Sequence, residues 1–542
     1  MTLGKMAVDG LLDLAAQLGR GIKAWLARPP QRVLNEAFEQ PVEVLHEGQQ
    51  GIVVAYHPIA REIGLSVLRR GGNAFDAFVA TAAAENVLAE GASSLAGSMG
   101  VLVYRADEGT VAYLDADFNT PLKPEALWNP GEPAGKAVLV PGMPAGLVEL
   151  ASTHAKFELP ELLEPAISLA DEGFPVVHLM ALSIAERAHI LKRSPYGWAT
   201  HFRHRRPLQR GDSLRLPEVA GFLRGLSQHG RAHVYGGEFG QRFLELVRRR
   251  GGCLDLSDLH NYRVEWATPW SMRHRDHVIH SASGPSYGGL WTLFALKALE
   301  QGDQAAPPEL EQMLRVAHST WAEELVFDTP LSRITEDMER RLSGDEGAPR
   351  SAPRRASGSH RYHIITRDTA GNIASGTITA QSDPWGDGLF VDGLALSTAG
   401  RIPWNTEPGQ RRLSPLSIHL ALRAGQPHIS VGTISNSAVE AAFQILVNLV
   451  DKNLPLPQAL SAPRFGTFPP RKEAGWAVPD LRRNWIDPRI PAATLKRLRS
   501  AGLGLKRSGT VDTGLGAALV IDESGAVGAT VPLPYLRGPF SS

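Results

Sequence analysis

Hydroxyl groups, rather than thiols or metal ligands, are the side chains this sequence places to do chemistry. Ser359 stands in Ser357-Gly358-Ser359-His360-Arg361-Tyr362-His363-Ile364-Ile365. It directly follows a stretch, 342–355, with no periodicity and almost no large apolar side chain, which is expected to be a mobile, exposed connection. Residues 362–366 then have the pattern of a strand, 368–371 that of a turn, and 373–379 that of the returning strand. A hairpin that begins just after such a connection is an unusual start for a domain and asks for a reason. Alternation puts Thr377, Thr379 and Gln381 on one face of the return, although strands also favour Thr by propensity alone. A hydroxyl is a weak nucleophile at neutral pH and needs an adjacent base. The residues alone leave Ser359 as either such a nucleophile or a linker serine like Ser351 and Ser357.

Other chemistries have less support. Cys253 is the only cysteine, which excludes an internal disulfide framework and a cysteine-based zinc site. In Gly251-Gly252-Cys253-Leu254 it reads as a small buried residue rather than a nucleophile. The histidines show no HExxH or other metal-ligand spacing, so neither metal nor cofactor is expected. With 56 basic and 56 acidic residues, no polyanion or membrane surface is implied as a partner. The arginine runs at 203–206 and 248–250 lack interleaved aromatics and read as solvated faces, so no nucleic acid is expected.

The elements that must position these hydroxyls can be read along the chain. Residues 1–26 carry an amphipathic helical pattern broken by Asp9, Asp13, Arg20 and Lys23, unlike a secretory signal. No stretch approaches the roughly 20 apolar residues of a membrane span, and a cytoplasmic location is the expectation. After Pro29-Pro30, a strand at 51–55 leads to a helix over 59–70, closed by Gly71-Gly72, and an Ala-rich, buried helix over 73–88. Strands at 101–104 and 111–114 flank a Glu108-Gly109 turn. Residues 140–340 read mostly as helices, among them 159–172 and 310–327. The composition shifts near residue 340. This divides the chain into a terminal helix and linker (1–44), a long segment (45–340), a flexible connection (341–358) and a shorter segment (359–542).

From about residue 50 onward the ordered segments resemble the γ-glutamyltransferase family. The opening Gly51-Ile52-Val53-Val54-Ala55 and Arg70-Gly71-Gly72-Asn73-Ala74-Phe75-Asp76-Ala77 are similar to its amino-terminal signature. Val140-Pro141-Gly142-Met143-Pro144-Ala145-Gly146, Tyr235-Gly236-Gly237, Pro285-Ser286-Tyr287-Gly288-Gly289 and Ala462-Pro463-Arg464-Phe465 follow in the family's order. The resemblance implies an α+β fold, the αββα sandwich of the N-terminal nucleophile hydrolases, built jointly from the long and short segments. It also implies a precursor that cuts itself before Ser359. An α-amine titrates near pH 8, so the amine freed there could serve as the base for the same residue's hydroxyl. Carried over residue by residue, Thr379 would orient the Ser359 hydroxyl, beside Thr377, and the Ser435 and Asn436 amides would form an oxyanion hole. Gln381 would replace an Asn that helps hold substrate.

The departures from the family pattern fall on the pocket. Asp117 stands where the family has an Arg for the glutamate α-carboxylate, so a γ-glutamyl group should bind poorly and a cationic or polar group is suggested. An Asp that fixes the substrate amine is missing from Leu396-Ser397-Thr398-Ala399-Gly400-Arg401, and a Ser-Ser pair becomes Arg411-Arg412. Thr398 is therefore expected at the substrate with Asp117 and Gln381, and Arg401, Arg411 and Arg412 are candidates to bind an acidic group from the opposite wall. Ser435-Asn436 replaces a Gly-Gly pair. The reading is an amidohydrolase or acyltransferase acting on a small amide or peptide-like substrate with a non-glutamyl acyl group. The alternative is a catalytically silent member kept for binding or assembly. Oligomeric state is not legible.

Overall fold

In a computed structural model, the structure describes residues 42–123, 128, 131–300, 308–323, 361–401, 407–434, 437–467, 484–500, 503–507, 515–523 and 525–530. The helix expected over 1–26, the connection at 341–358, Ser359, Ser435 and Asn436 lie outside the described residues.

Period-two apolar runs become strands of two large sheets. In chain order these are β1 (Glu43–His46), β2 (Gly51–Val54), β3 (Ser98–Arg105), β4 (Thr110–Ala116), β5 (Glu265–Ala267), β6 (Trp270–His274) and β7 (His277–Ser281). They continue with β8 (Arg361–Asp368), β9 (Ile373–Thr379), β10 (Ile418–Arg423), β11 (Gln426–Ile434), β12 (Leu515–Asp522) and β13 (Gly525–Thr530). One sheet has the order β2-β8-β9-β3-β4-β5 and the other β1-β13-β12-β11-β10-β7-β6. Both sheets interleave strands from either side of residue 340, so each half of the chain needs the other to bury its apolar faces.

The helices close the two outer faces. Helices α1 (Pro58–Arg69), α2 (Ala74–Leu88) and α3 (Met143–His154) cover the first sheet, while α4 (Tyr287–Glu300) and α5 (Ala438–Val450) cover the second. The result is four layers, α-β-β-α. Every residue of α2 is buried, as its alanine content requires. Asn73 and Asp76 form a capping box that fixes its start. Asp368 at the end of β8 accepts a hydrogen bond from the Ala74 amide at 3.0 Å, tying the hairpin to this helix.

Two sequence expectations need correction. The region 140–340 also contains β5, β6 and β7, which extend both sheets. The alternation in Trp270-Ser271-Met272-Arg273-His274 and His277-Val278-Ile279-His280-Ser281 carried that signal, but surrounding helical patterns dominated it. Cys253 is exposed rather than buried, because it lies in the connection after a helix that ends at Arg249 and not against the core.

Candidate active site

The first sheet brings one set of strand ends together. In antiparallel register Arg361 at the start of β8 faces Thr379 at the end of β9, and Thr379 faces Ser98 at the start of β3. Met99 in turn faces Ala116 at the end of β4, and Asp117 follows immediately. Ser359 is two residues before Arg361 in sequence. The second sheet sends its own ends here, since Arg361 Nη1 donates to the Pro415 carbonyl at 3.0 Å, ahead of β10.

A buried polar cluster occupies that edge. Gln381 lies just past β9 with φ 48°, in the left-handed region. Its amide N–H donates to Thr379 Oγ1 at 2.9 Å, an internal turn bond that stabilises this backbone. Its Nε2 donates to Ser98 Oγ at 3.0 Å and to Asp117 Oδ1 at 2.7 Å, and its Oε1 accepts from Arg412 Nη1. The Phe118 amide also donates to Asp117 Oδ1, and the Arg412 amide to the Phe118 carbonyl at 3.0 Å. Gln381, Asp117 and Arg412 are each at most 2% exposed.

Electrostatics follow from burial. Burial pushes the Asp117 carboxyl up, while the Ser414 and Ser98 hydroxyls and the Arg412 charge oppose the shift. Burial likewise brings Arg412 down to about 10, with Asp117 acting against it, which leaves the guanidinium charged at neutral pH. Arg412 Nε and Nη2, Asp117 Oδ2 and Ser414 Oγ have no hydrogen-bond partner among the described residues. Ser414 is therefore near enough to favour the charged form without meeting Oδ2 in hydrogen-bond geometry.

The remaining candidates separate into roles. Arg411 is committed to structure: its Nε meets Asp115 Oδ1 at 3.2 Å, it donates to Asn119 Oδ1 and the Arg263 carbonyl, and its guanidinium lies 4.7 Å from the Tyr262 ring centre. Burial raises Asp115 to about 6 against the pull of Arg411. Thr398 is buried against Gly386, in a turn where Trp385 and Gly386 both have positive φ. Arg401 pairs with Asp387 at 2.5 Å near the surface and lies 5.9 Å over the Trp128 ring. Thr377 faces inward, with its Oγ1 2.9 Å from His363 Nδ1.

Sequence reading gave no role to Ser98, Asp115, Tyr262 or His363. Ser98 and Asp115 sit in apolar strands with no local motif, and Tyr262 reaches Arg411 only through the fold. His363 did carry a signal, an inward position by alternation in the strand that follows Ser359. Among the described residues, no group of three or more His, Cys, Asp or Glu is placed to hold a metal ion. None of the described helices is long and apolar enough to cross a membrane.

Comparison with known proteins agrees with this arrangement. The family model for Gamma-glutamyltranspeptidase matches residues 60–337. The chain is 27% identical over 531 residues to the Acylase ACY 1 proenzyme of Pseudomonas sp. (strain SE83), covering 89% of this chain and 92% of that protein. It is 24% identical to the Glutathione hydrolase proenzyme of Escherichia coli (strain K12), covering 90% and 91%. The cephalosporin acylase of Bacillus halodurans shares the fold with a TM-score of 0.74 at 23% identity, covering 92% of this chain and 96% of that one. A two-sheet scaffold whose strand ends gather a buried polar cluster beside the entry of residue 361, matched over half its length by one family model, places this chain in the gamma-glutamyltranspeptidase family.

Proposed function

We propose that this protein is an amide hydrolase or acyltransferase that uses Ser359, freed by self-cleavage after Gly358, to attack an acyl group other than γ-glutamyl. The observation that carries this reading is the cluster at the edge where β8 begins. The strand that follows Ser359 by two residues starts beside Thr379, Ser98, Gln381, Asp117 and Arg412. The proenzyme names of the acylase and glutathione hydrolase relatives support a precursor that is cut. Asp117, in place of a cationic anchor, argues against the γ-glutamyl group.

The steps follow from the residue types. The Ser359 Oγ adds to the amide carbonyl while its own α-amine takes the hydroxyl proton. The Ser435 and Asn436 backbone N–H groups would hold the oxyanion, since the two residues directly follow β11. The C–N bond breaks as the α-amine returns the proton to the leaving amine, giving an ester on Ser359. Water or an acceptor amine then adds to that ester and releases the acyl group. The test is denaturing mass spectrometry of the wild type beside Ser359→Ala. The wild type should divide into segments of 358 and 184 residues while the variant stays whole. A wild type that stays whole on prolonged incubation overturns the proposal.

A further inference from the structure

Buried polar groups in folded proteins are almost always satisfied, so a cluster of unsatisfied ones at a site is informative. At the Asp117–Gln381–Arg412 cluster the unsatisfied atoms are of both kinds. Asp117 Oδ2, as a carboxylate oxygen, can only accept, and Arg412 Nε and Nη2 can only donate. The satisfied atoms of the same two residues show what they select. Asp117 Oδ1 accepts from the Nε2 end of the Gln381 carboxamide, and Arg412 Nη1 donates to its Oε1 end. One carboxamide is already held between this carboxylate and this guanidinium, and the atoms left over repeat the same complement.

We infer that the substrate's acyl portion carries a second, uncharged carboxamide, whose carbonyl accepts from Arg412 and whose N–H donates to Asp117. This rests on the amide-hydrolase reading above and names the substrate class for the cluster. Charge decides against the simpler alternatives. Asp117 and Arg412 cancel, as Asp115 and Arg411 do beside them. A carboxylate head would leave one buried negative charge unmatched, and an ammonium head one positive charge, each a heavy penalty at sites at most 2% exposed. A carboxamide adds none. A primary amide or the next peptide bond of a peptide-like substrate supplies the same group, and the two sources share this chemistry.

The experiment uses binding alone, so that its failure is separable from failure of the cleavage reading, which mass spectrometry decides independently. Ligand-observed NMR on the purified wild-type protein would compare butanamide, butanoate and butylammonium. Butanamide should bind about tenfold more tightly than either charged probe, the effect of leaving one buried group unpaired or uncompensated. In Asp117→Asn the cluster keeps the Arg412 charge alone, and butanoate should become the preferred probe. A charged probe that matches butanamide in the wild type, no butanamide binding, or an unchanged ranking in Asp117→Asn overturns the inference. Should Asp117→Asn fail to fold, the wild-type ranking and that of Arg412→Gln, expected to turn toward butylammonium, decide it.

Discussion

Two buried polar regions of this protein sit a few strand residues apart and are built in opposite ways. Between the sheets, Thr377 Oγ1, His363, Ser375 Oγ and Ser430 Oγ form an unbroken chain at 2.9, 3.2 and 2.8 Å. His419 meets Ser281 Oγ at 2.7 Å and Ser417 Oγ at 2.8 Å. Burial brings both imidazoles down to about 3, so they are neutral, and every side-chain polar atom named is paired. At the strand ends the groups are ionisable, and several donors and acceptors are left over. A satisfied neutral network fixes how two sheets stack, whereas an unsatisfied charged one is held ready for something else. The first region reads as architecture and the second as recognition.

Breaking the architectural side should have the largest effect. A Cβ at Gly432 would lie 2.1 Å from the His363 ring, so Gly432→Ala forces the sheets apart or expels the imidazole. More than about 4 kcal/mol of destabilisation is expected, seen as loss of soluble protein or of the cooperative thermal transition. Next comes Arg411→Ala, which strips Asp115 of its partner inside the fold and should cost about 3–5 kcal/mol in denaturant unfolding. Full stability in that variant would show that the Arg411 side of the cluster is not structural.

The neutral imidazoles predict an acid weakness. A histidine held near 3 in the fold and near 6.5 when unfolded takes up its proton only on unfolding within that window. The stability it confers is complete above pH 6.5 and is lost as pH falls toward 3. The urea midpoint should therefore drop by the equivalent of a few kcal/mol between pH 7 and 4.5, with a shallower decline in His363→Gln. An identical pH slope in wild type and variant would remove His363 from the account. The smallest effect is expected at Arg401→Ala, whose ion pair with Asp387 is partly exposed. Thermal unfolding should shift by the equivalent of less than about 1 kcal/mol, and probe ranking at Asp117 and Arg412 should not change.

The sequence was legible where the physics is local. The strands at 51–54, 361–368 and 373–379 and the helices at 58–69 and 159–172 follow from alternation, 3.6-residue spacing and turn residues within each segment. Asn73 and Gly71 marked a helix start and stop because capping and positive φ involve only neighbouring residues. The short strands β5 to β7 were lost among helices because their pairing partners lie far away in sequence. The candidate site was half legible. Gln381, Asp117 and Arg412 were named from a family pattern, but nothing local distinguishes Arg412 from Arg411 beside it.

What the sequence determined by itself was most of the longer elements, the joint two-segment sandwich and the short list of polar residues bound for one edge, because periodicity and ordered motifs are written along the chain. Only the tertiary structure decided which charges are spent and which remain. Arg411 is consumed by Asp115, Asn119 and Tyr262, and Arg401 by Asp387, while Arg412 shares one carboxamide with Asp117 and keeps two nitrogen donors, Nε and Nη2, over. Hydrogen-bond satisfaction is a property of neighbours in space, and these partners come from strand ends separated by up to nearly three hundred residues.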